Sequence, residues 1–261
     1  MNVIEEPVTI AAGRGPRIGV IARAARVANR AVLIMPAPGE TRTGPGRLYV
    51  RLARGLAGSG LPSMRLDAPD GGDCQPDERG HLAIDDDAVD AARQLLALHP
   101  DSRVAVLAVG RGAIGAARAW RELNRAGVPL SALCLVDPAL GLPAPGRKAG
   151  WWRRLFGRPA RPVAEPRLGG TAGSVVEGSD VALWIALPAE VRAARARLLV
   201  VTRSAIQSHD GFATLARSER AWRKTLERPR SCLQLEGADP GFAQPAHWRK
   251  LTGWLATHLA H

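Results

Sequence analysis

Apolar residues in this chain fall into short unbroken runs. Between the runs lie glycine- and proline-rich segments and stretches where apolar positions recur every three or four residues. The clearest run is Val104 to Val109, six apolar residues in a row. That is too continuous for a strand with one wet face and suits a central strand of a parallel sheet, buried on both faces. Ala31–Met35, Ser63–Leu66, Leu130–Val136, Arg197–Thr202 and Cys232–Leu235 also read as strands. Val8–Ala12 and Arg17–Ala22, around Gly13-Arg14-Gly15-Pro16, read as an N-terminal antiparallel hairpin.

Helical spacing separates the later runs. Leu48, Val50, Leu52 and Leu56 mark a helix that ends in Gly58-Ser59-Gly60. An Ala/Leu-rich helix opens on Asp85-Asp86-Asp87 and ends near His99-Pro100. Acidic residues in a first turn offset the helix dipole, so the triplet reads as capping and no metal is expected there. AARAWRELNRAG follows as a helix with Gly127 placed to end it. Phe212–Leu226 and Ala246–Leu259 complete the set, the latter with Trp248, Leu251, Trp254 and Leu255 inward. Alternating strands and helices predict an α/β fold: a mainly parallel sheet of about eight strands with helices on both faces. The regular pattern breaks between Ala139 and Arg195. We expect one domain over 1–261, with a lid-like insertion over 139–193 after the sixth strand.

The run at 104–109 leads straight into Gly110, Gly112 and Gly115. A buried strand, a tight glycine-rich turn and a helix form the nucleophile turn of the α/β-hydrolase fold. An active member would place Ser, Cys or Asp at the tip. The frame Gly110-Arg111-Gly112-Ala113-Ile114 places Gly112 there, which has no side chain to attack anything. The same glycines invite comparison with a phosphate loop. They follow a late strand instead of opening the first βα unit, so no nucleotide and no other cofactor is expected. Backbone groups at Pro38, Gly39, Arg111, Gly112 and Ala113 remain candidates to line a pocket, where a helix N-terminus could hold an anion or a carbonyl oxygen.

Several ordered segments resemble the exosortase A system-associated hydrolases. They are AVLIMPAPGETRTGPGRLYVRLARGLAGSGLPSMRLDAPDGGDC at 31–74, AVGRGAIGAA at 108–117, WWRRLFGRP at 151–159, GFATLARSERAWRKTLERP at 211–229 and LEGADPGFAQPAHWRKLTGWLATHL at 235–259. The resemblance implies an α/β-hydrolase fold and a place in bacterial exopolysaccharide export and protein sorting. It also implies a catalytic triad, and each of its three positions departs from the pattern here. Gly112 stands where the nucleophile would be, Ala205 or Ile206 where the acid would be, and Pro240 where Ala-Asp-His-x-Phe would place the histidine. Serine is a poor nucleophile without a base, and the base needs an orienting acid. Losing all three predicts a degenerate site in an accessory or binding component whose partners belong to that export system.

A displaced site is the alternative. Ser204, Ser208, His209 and Asp210 follow the strand whose carboxyl end borders the usual site, and could serve an ester or acyl hydrolase. Adjacent residues at a helix start fit capping better. His81, His99, His247, His258 and His261 lie in turns or near helix ends without evident partners, and Asp67, Asp70, Asp73 and Asp137 read as turn residues. The formal net charge of +12 adds a third reading. The densest basic-aromatic cluster, with Arg147, Lys148, Trp151, Trp152, Arg153, Arg154 and Arg158, suits an anionic membrane surface. Basic residues are otherwise spread along the chain without a nucleic-acid-binding motif, which argues against nucleic acid. Cys74, Cys134 and Cys232 show neither metal spacing nor a disulfide framework. With no signal core and no spanning run, a cytoplasmic protein is expected, peripheral to the inner membrane if it meets a membrane at all.

Overall fold

The computed structural model describes residues 3–12, 15–24, 29–69, 71–74, 84–140, 178–203 and 211–260. It contains β1 (Ile4–Ala12), β2 (Gly15–Arg23), β3 (Arg30–Met35), α1 (Leu48–Gly58), β4 (Ser63–Leu66), α2 (Ile84–Leu98), β5 (Arg103–Val109), α3 (Gly112–Arg125), β6 (Leu130–Val136), α4 (Gly178–Ala193), β7 (Arg197–Thr202), α5 (Phe212–Ser218), α6 (Arg220–Leu226), β8 (Cys232–Gln234) and α7 (Pro245–Ala260). The strands form one sheet in the order β1-β2-β4-β3-β5-β6-β7-β8. Six strands, β4 to β8 with β3, run parallel; β2 joins β4 antiparallel and carries β1 as a hairpin partner. The expected eight-stranded α/β plan is therefore present.

Strand alternation divides the core in two. Leu33, Met35, Val106, Ala108, Leu133, Leu135 and Val200 pack on one face with α2 to α6. Val32, Ile34, Leu107, Cys134, Leu199 and Val201 pack on the other with α1 and α7. This explains the continuous apolar runs: both faces of the central strands are covered.

Two expectations change. Residues 178–193 of the expected insertion form α4, a helix of the main body. Trp184 and Leu187 are buried, and Trp222 donates its indole N–H to the Trp184 carbonyl at 2.7 Å. Arg118 and Arg121 of α3 hold α4 through Asp180 at 2.6 Å and Glu190 at 2.6 Å. The segment GSDVALWIALPAEVRA is apolar around most of its circumference and contains Pro188, so it lacks the one-sided pattern that announces a helix. Residues 141–177 lie outside the described residues. The helix expected over Phe212–Leu226 is two helices, because Glu219 adopts an extended conformation at ψ 118°.

Candidate functional site

The strand order reverses between β3 and β5: β4 lies on one side of β3 and β5 on the other. In open α/β sheets, ligands bind beyond the carboxyl ends of the strands at such a point. Here the loop after β3 meets the turn after β5. A Cβ on Gly112 would lie 3.2 Å from the Ala37 nitrogen and from the Pro36 carbonyl, so a glycine is what allows this contact. The left-handed residue of the turn is Gly110, at φ 55°, and a Cβ there would meet open space. Gly112 is the first residue of α3. The turn tip expected at Gly112 is thus at the half-buried Gly110, two positions earlier; both positions hold glycine, so the sequence alone does not separate them. The Gly110 N–H donates to the Val136 carbonyl at 2.9 Å, and its own carbonyl accepts from Ala113 at 3.2 Å and Ala139 at 3.0 Å.

The β3–α1 loop is shaped by buried charge. Asp67 at the end of β4 accepts the Arg42 backbone N–H at 2.6 Å, the Arg42 guanidinium, and the Asp73 N–H at 3.2 Å. Arg42 also reaches Asp73 at 2.7 Å. These contacts tie the loops after β3 and β4 together. Tyr49 donates its hydroxyl to Glu40, whose carboxylate also accepts the Ala37 N–H at 3.2 Å. Burial first, then the Glu40 charge, pushes the Tyr49 hydroxyl far above its ordinary range, so it remains a donor. Asp67, Asp73, Glu40 and Tyr49 are scaffold here. A sequence signal for this network was absent, since 25 residues separate Arg42 from Asp67.

Pro36, Ala37, Pro38, Ala68, Pro69, Ile114, Gly115 and the stem of Arg118 line a narrow groove with room for about 10 Å³, the space of one small group. Of the expected backbone set, Pro38 has no N–H to donate, which removes it as an oxyanion donor. The Ala113 N–H is taken by Gly110. Gly39 lies at φ 74° in the loop, and Arg111 precedes α3 with its side chain exposed. Gly112 supplies the N–H of a helix start, a group that has no partner within its own helix.

Beyond β6, Asp137 sits at φ 48° and donates its N–H to Val201 at 2.7 Å, while its carboxylate receives the Arg203 Nε at 2.5 Å. Asp137 thus bridges the ends of β6 and β7, beside the turn. Beyond β8, Pro240 is exposed in a turn whose preceding Asp239 carboxylate accepts the Ala243 N–H at 2.7 Å. Phe242 is buried at φ 46°, and Arg51 donates to the Gly241 carbonyl at 2.8 Å, fixing this turn to α1. Ile206, Ser204, Ser208, His209 and Asp210 lie outside the described residues, as do Arg147, Lys148, Trp151, Trp152, Arg153, Arg154 and Arg158.

The cysteines are free thiols. Burial pushes Cys134 up to about 12 and raises Cys74 and Cys232 above the ordinary thiol value. None of them is a ready thiolate at neutral pH.

Solved structures share this architecture. XC6422 from Xanthomonas campestris, described as an α/β serine hydrolase without a lid, is 15% identical with a TM-score of 0.59, over 99% of this chain and 94% of that one. The fold is that of the α/β hydrolases. Dienelactone hydrolase from Anabaena variabilis is 13% identical with a TM-score of 0.60, over 98% of this chain and 97% of that one. The Pyrococcus furiosus esterase PF2001 is 13% identical with a TM-score of 0.60, over 98% and 92% of the two chains. No family model and no curated protein matches the sequence. Among the described residues, no helix of this α/β-hydrolase-fold protein is long and apolar enough to cross a membrane.

Proposed function

We propose that this α/β-hydrolase-fold protein binds a ligand at the β3/β5 crevice without covalent turnover at the β5 turn, as an accessory component of an exopolysaccharide system. The observation that carries the reading is the turn itself: its left-handed tip is Gly110, and Gly112 is pressed against the Pro36–Ala37 backbone. Neither has a side chain that could form an acyl-enzyme. Pro240, exposed in the turn after β8, offers no proton acceptor in place of a histidine. What remains is a helix start beside a small apolar groove, which suits a carbonyl or anionic group held next to a short apolar one. The exopolysaccharide setting rests on the sequence resemblance.

Turnover of a panel of short-chain aryl esters by the full-length protein tests this reading. The expected result is hydrolysis no faster in the native protein than in Ser204→Ala, Ser208→Ala and His209→Ala variants. Hydrolysis abolished by any of these substitutions overturns it. That result would support an ester or acyl hydrolase with displaced groups, the reading favoured by the position of Ser204–Asp210 just beyond the carboxyl end of β7. Attachment to an anionic membrane through Arg153 and Arg154 is a separate proposal. It predicts vesicle binding that falls in an Arg153→Glu/Arg154→Glu variant; unchanged binding contradicts it.

A further inference from the structure

The amino-terminal edge of the sheet, opposite the crevice, is rich in arginine. Arg30, Arg103 and Arg197 are each the first residue of their strands, β3, β5 and β7. β2 runs the other way, so its last residue, Arg23, reaches the same edge, where it pairs with Glu6 at 2.6 Å. The connections that enter β7 and β8 add Arg195, Arg228 and Arg230, all exposed. Among the described residues, none of Arg30, Arg103, Arg195, Arg197, Arg228 and Arg230 has a carboxylate partner. Burial first, then the charges of Arg103 and Arg197, lowers the Arg30 guanidinium from its ordinary value. Asp101 and Glu227 are exposed acids at this edge, so positive charge remains in excess.

Exposed apolar side chains lie at the same edge. Ile4 and Leu98, 60% and 40% exposed, are the large hydrophobic residues left exposed among the described residues. Ile4 opens β1 and is the ladder partner of Arg23. Leu98 ends α2, directly before His99. Burial first, then the Arg23 charge, lowers the His99 imidazole, so the end of α2 and the start of β1 meet around Arg23. The Ser102 N–H donates to the His99 carbonyl at 3.0 Å and the Arg103 N–H to the Asn29 carbonyl at 3.1 Å, which ties this corner to the starts of β3 and β5. Singly exposed apolar residues are ordinary. That both fall on the edge where arginine is unpaired is the observation that points to a partner.

We propose that the amino-terminal edge of the sheet docks on an anionic lipid surface, with Ile4 and Leu98 entering the headgroup region and the arginines facing the lipid phosphates. The arginines are spread along the edge from β2 to β8 instead of converging on one cleft, which fits an extended, planar partner of diffuse negative charge. Each basic residue near such a surface adds its own attraction, and guanidinium groups match phosphate in charge and donor geometry. Apolar side chains beside them add anchoring at the boundary between headgroups and acyl chains. The lipid phosphates also supply the counter-charge that the row lacks. Docking by this edge turns the β3/β5 crevice away from the bilayer, and it uses different residues from attachment through Arg153 and Arg154.

The test is co-sedimentation of the full-length protein with vesicles of phosphatidylcholine mixed with phosphatidylglycerol, beside vesicles of phosphatidylcholine alone. Binding to the mixed vesicles is expected, and it should weaken as salt rises. Arg228→Glu/Arg230→Glu, at one end of the edge, should reduce it about tenfold or more, and Leu98→Asn, at the other, about fivefold. Arg249→Glu/Lys250→Glu makes the same charge change at the start of α7, on the carboxyl side, and should leave binding unchanged. All these side chains are exposed, and a thermal midpoint for each variant verifies its fold. Ile4→Asn repeats the apolar test on a second element if Leu98→Asn fails to fold. No binding to the mixed vesicles, equal loss in Arg249→Glu/Lys250→Glu, or unchanged binding in either the arginine or the apolar variants overturns the proposal. Loss confined to Arg153→Glu/Arg154→Glu also overturns it and assigns attachment to that segment.

Discussion

The two edges of the sheet are built in opposite ways. At the carboxyl edge, charges are matched, Arg42 with Asp67 and Asp73 and Arg203 with Asp137, and the Glu40 carboxylate accepts the Tyr49 hydroxyl. The turn between them ends in glycine and borders a groove for one small group. At the amino edge, Arg30 and Arg103 are ladder partners, and the Arg103 and Arg197 charges add to burial in disfavouring the Arg30 guanidinium. Matched charge holds a scaffold in place. Unmatched charge is unfavourable until a counter-charge arrives. The carboxyl edge, where open α/β sheets bind ligands, is the one tied by ion pairs between its loops. At the opposite edge, among the described residues, Arg30, Arg103 and Arg197 have no carboxylate partner.

Breaking the matched edge should have the largest effect. Asp67→Ala removes the buried carboxylate that joins Arg42 to the Asp73 N–H, while the part-exposed Arg42 guanidinium keeps Asp73, and should cost about 2–3 kcal/mol in urea unfolding. A loss below about 1 kcal/mol would show that the two loops hold together without it. Gly112→Val comes next. It forces a side chain against the Pro36–Ala37 backbone and should cost about 1–3 kcal/mol, whereas Gly110→Asn, at a left-handed position facing open space, should cost less. Equal losses would place the tight contact elsewhere.

The unmatched edge predicts a smaller effect of opposite sign. Arg30→Gln relieves repulsion on Arg103 and Arg197, so its thermal midpoint at low salt should equal or exceed that of the native protein, and the difference should shrink as salt screens the row. A clear loss of stability would mean that Arg30 has a partner outside the described residues.

The smallest effect lies at His99, near the same edge. Burial, with the Arg23 charge second, lowers its imidazole below the ordinary value of 6.5. The unfolded chain therefore binds a proton before the folded protein does. Stability should fall as pH drops below about 6.5, down to the lower folded value, and should be restored at neutral pH. Urea unfolding at pH 7 and pH 5 should show a smaller pH-dependent loss in His99→Asn than in the native protein; an equal loss would assign the dependence to other groups.

Much of the fold was legible in the sequence because the sheet is covered on both faces. Runs such as Val104–Val109 and Leu130–Val136 could be little else than buried strands. The helix α4 was not legible: apolar residues surround it and Pro188 interrupts it. At the candidate site, the strand–glycine turn–helix unit is clear in the sequence but the position of its tip is not, since Gly110 and Gly112 both tolerate a tight turn and only backbone geometry distinguishes them. The ion pairs could not be read at all. Arg17 and Asp87, paired at 2.7 Å in the interior, are 70 residues apart, and tertiary contact alone selects such partners. The amino-edge row did leave a trace: three strands each open with Arg directly before an apolar run. Strand alternation and ladder order turn that trace into a cluster.

The central claim is that no activated nucleophile serves the carboxyl edge. Intact-protein and peptide mass spectrometry after exposure to a fluorophosphonate probe tests it most directly, with an active serine hydrolase labelled alongside. The account predicts no stoichiometric adduct on this protein. A stoichiometric adduct on Ser204 or Ser208, lost in His209→Ala, would contradict it and establish an enzyme whose nucleophile has moved from the β5 turn to the segment after β7.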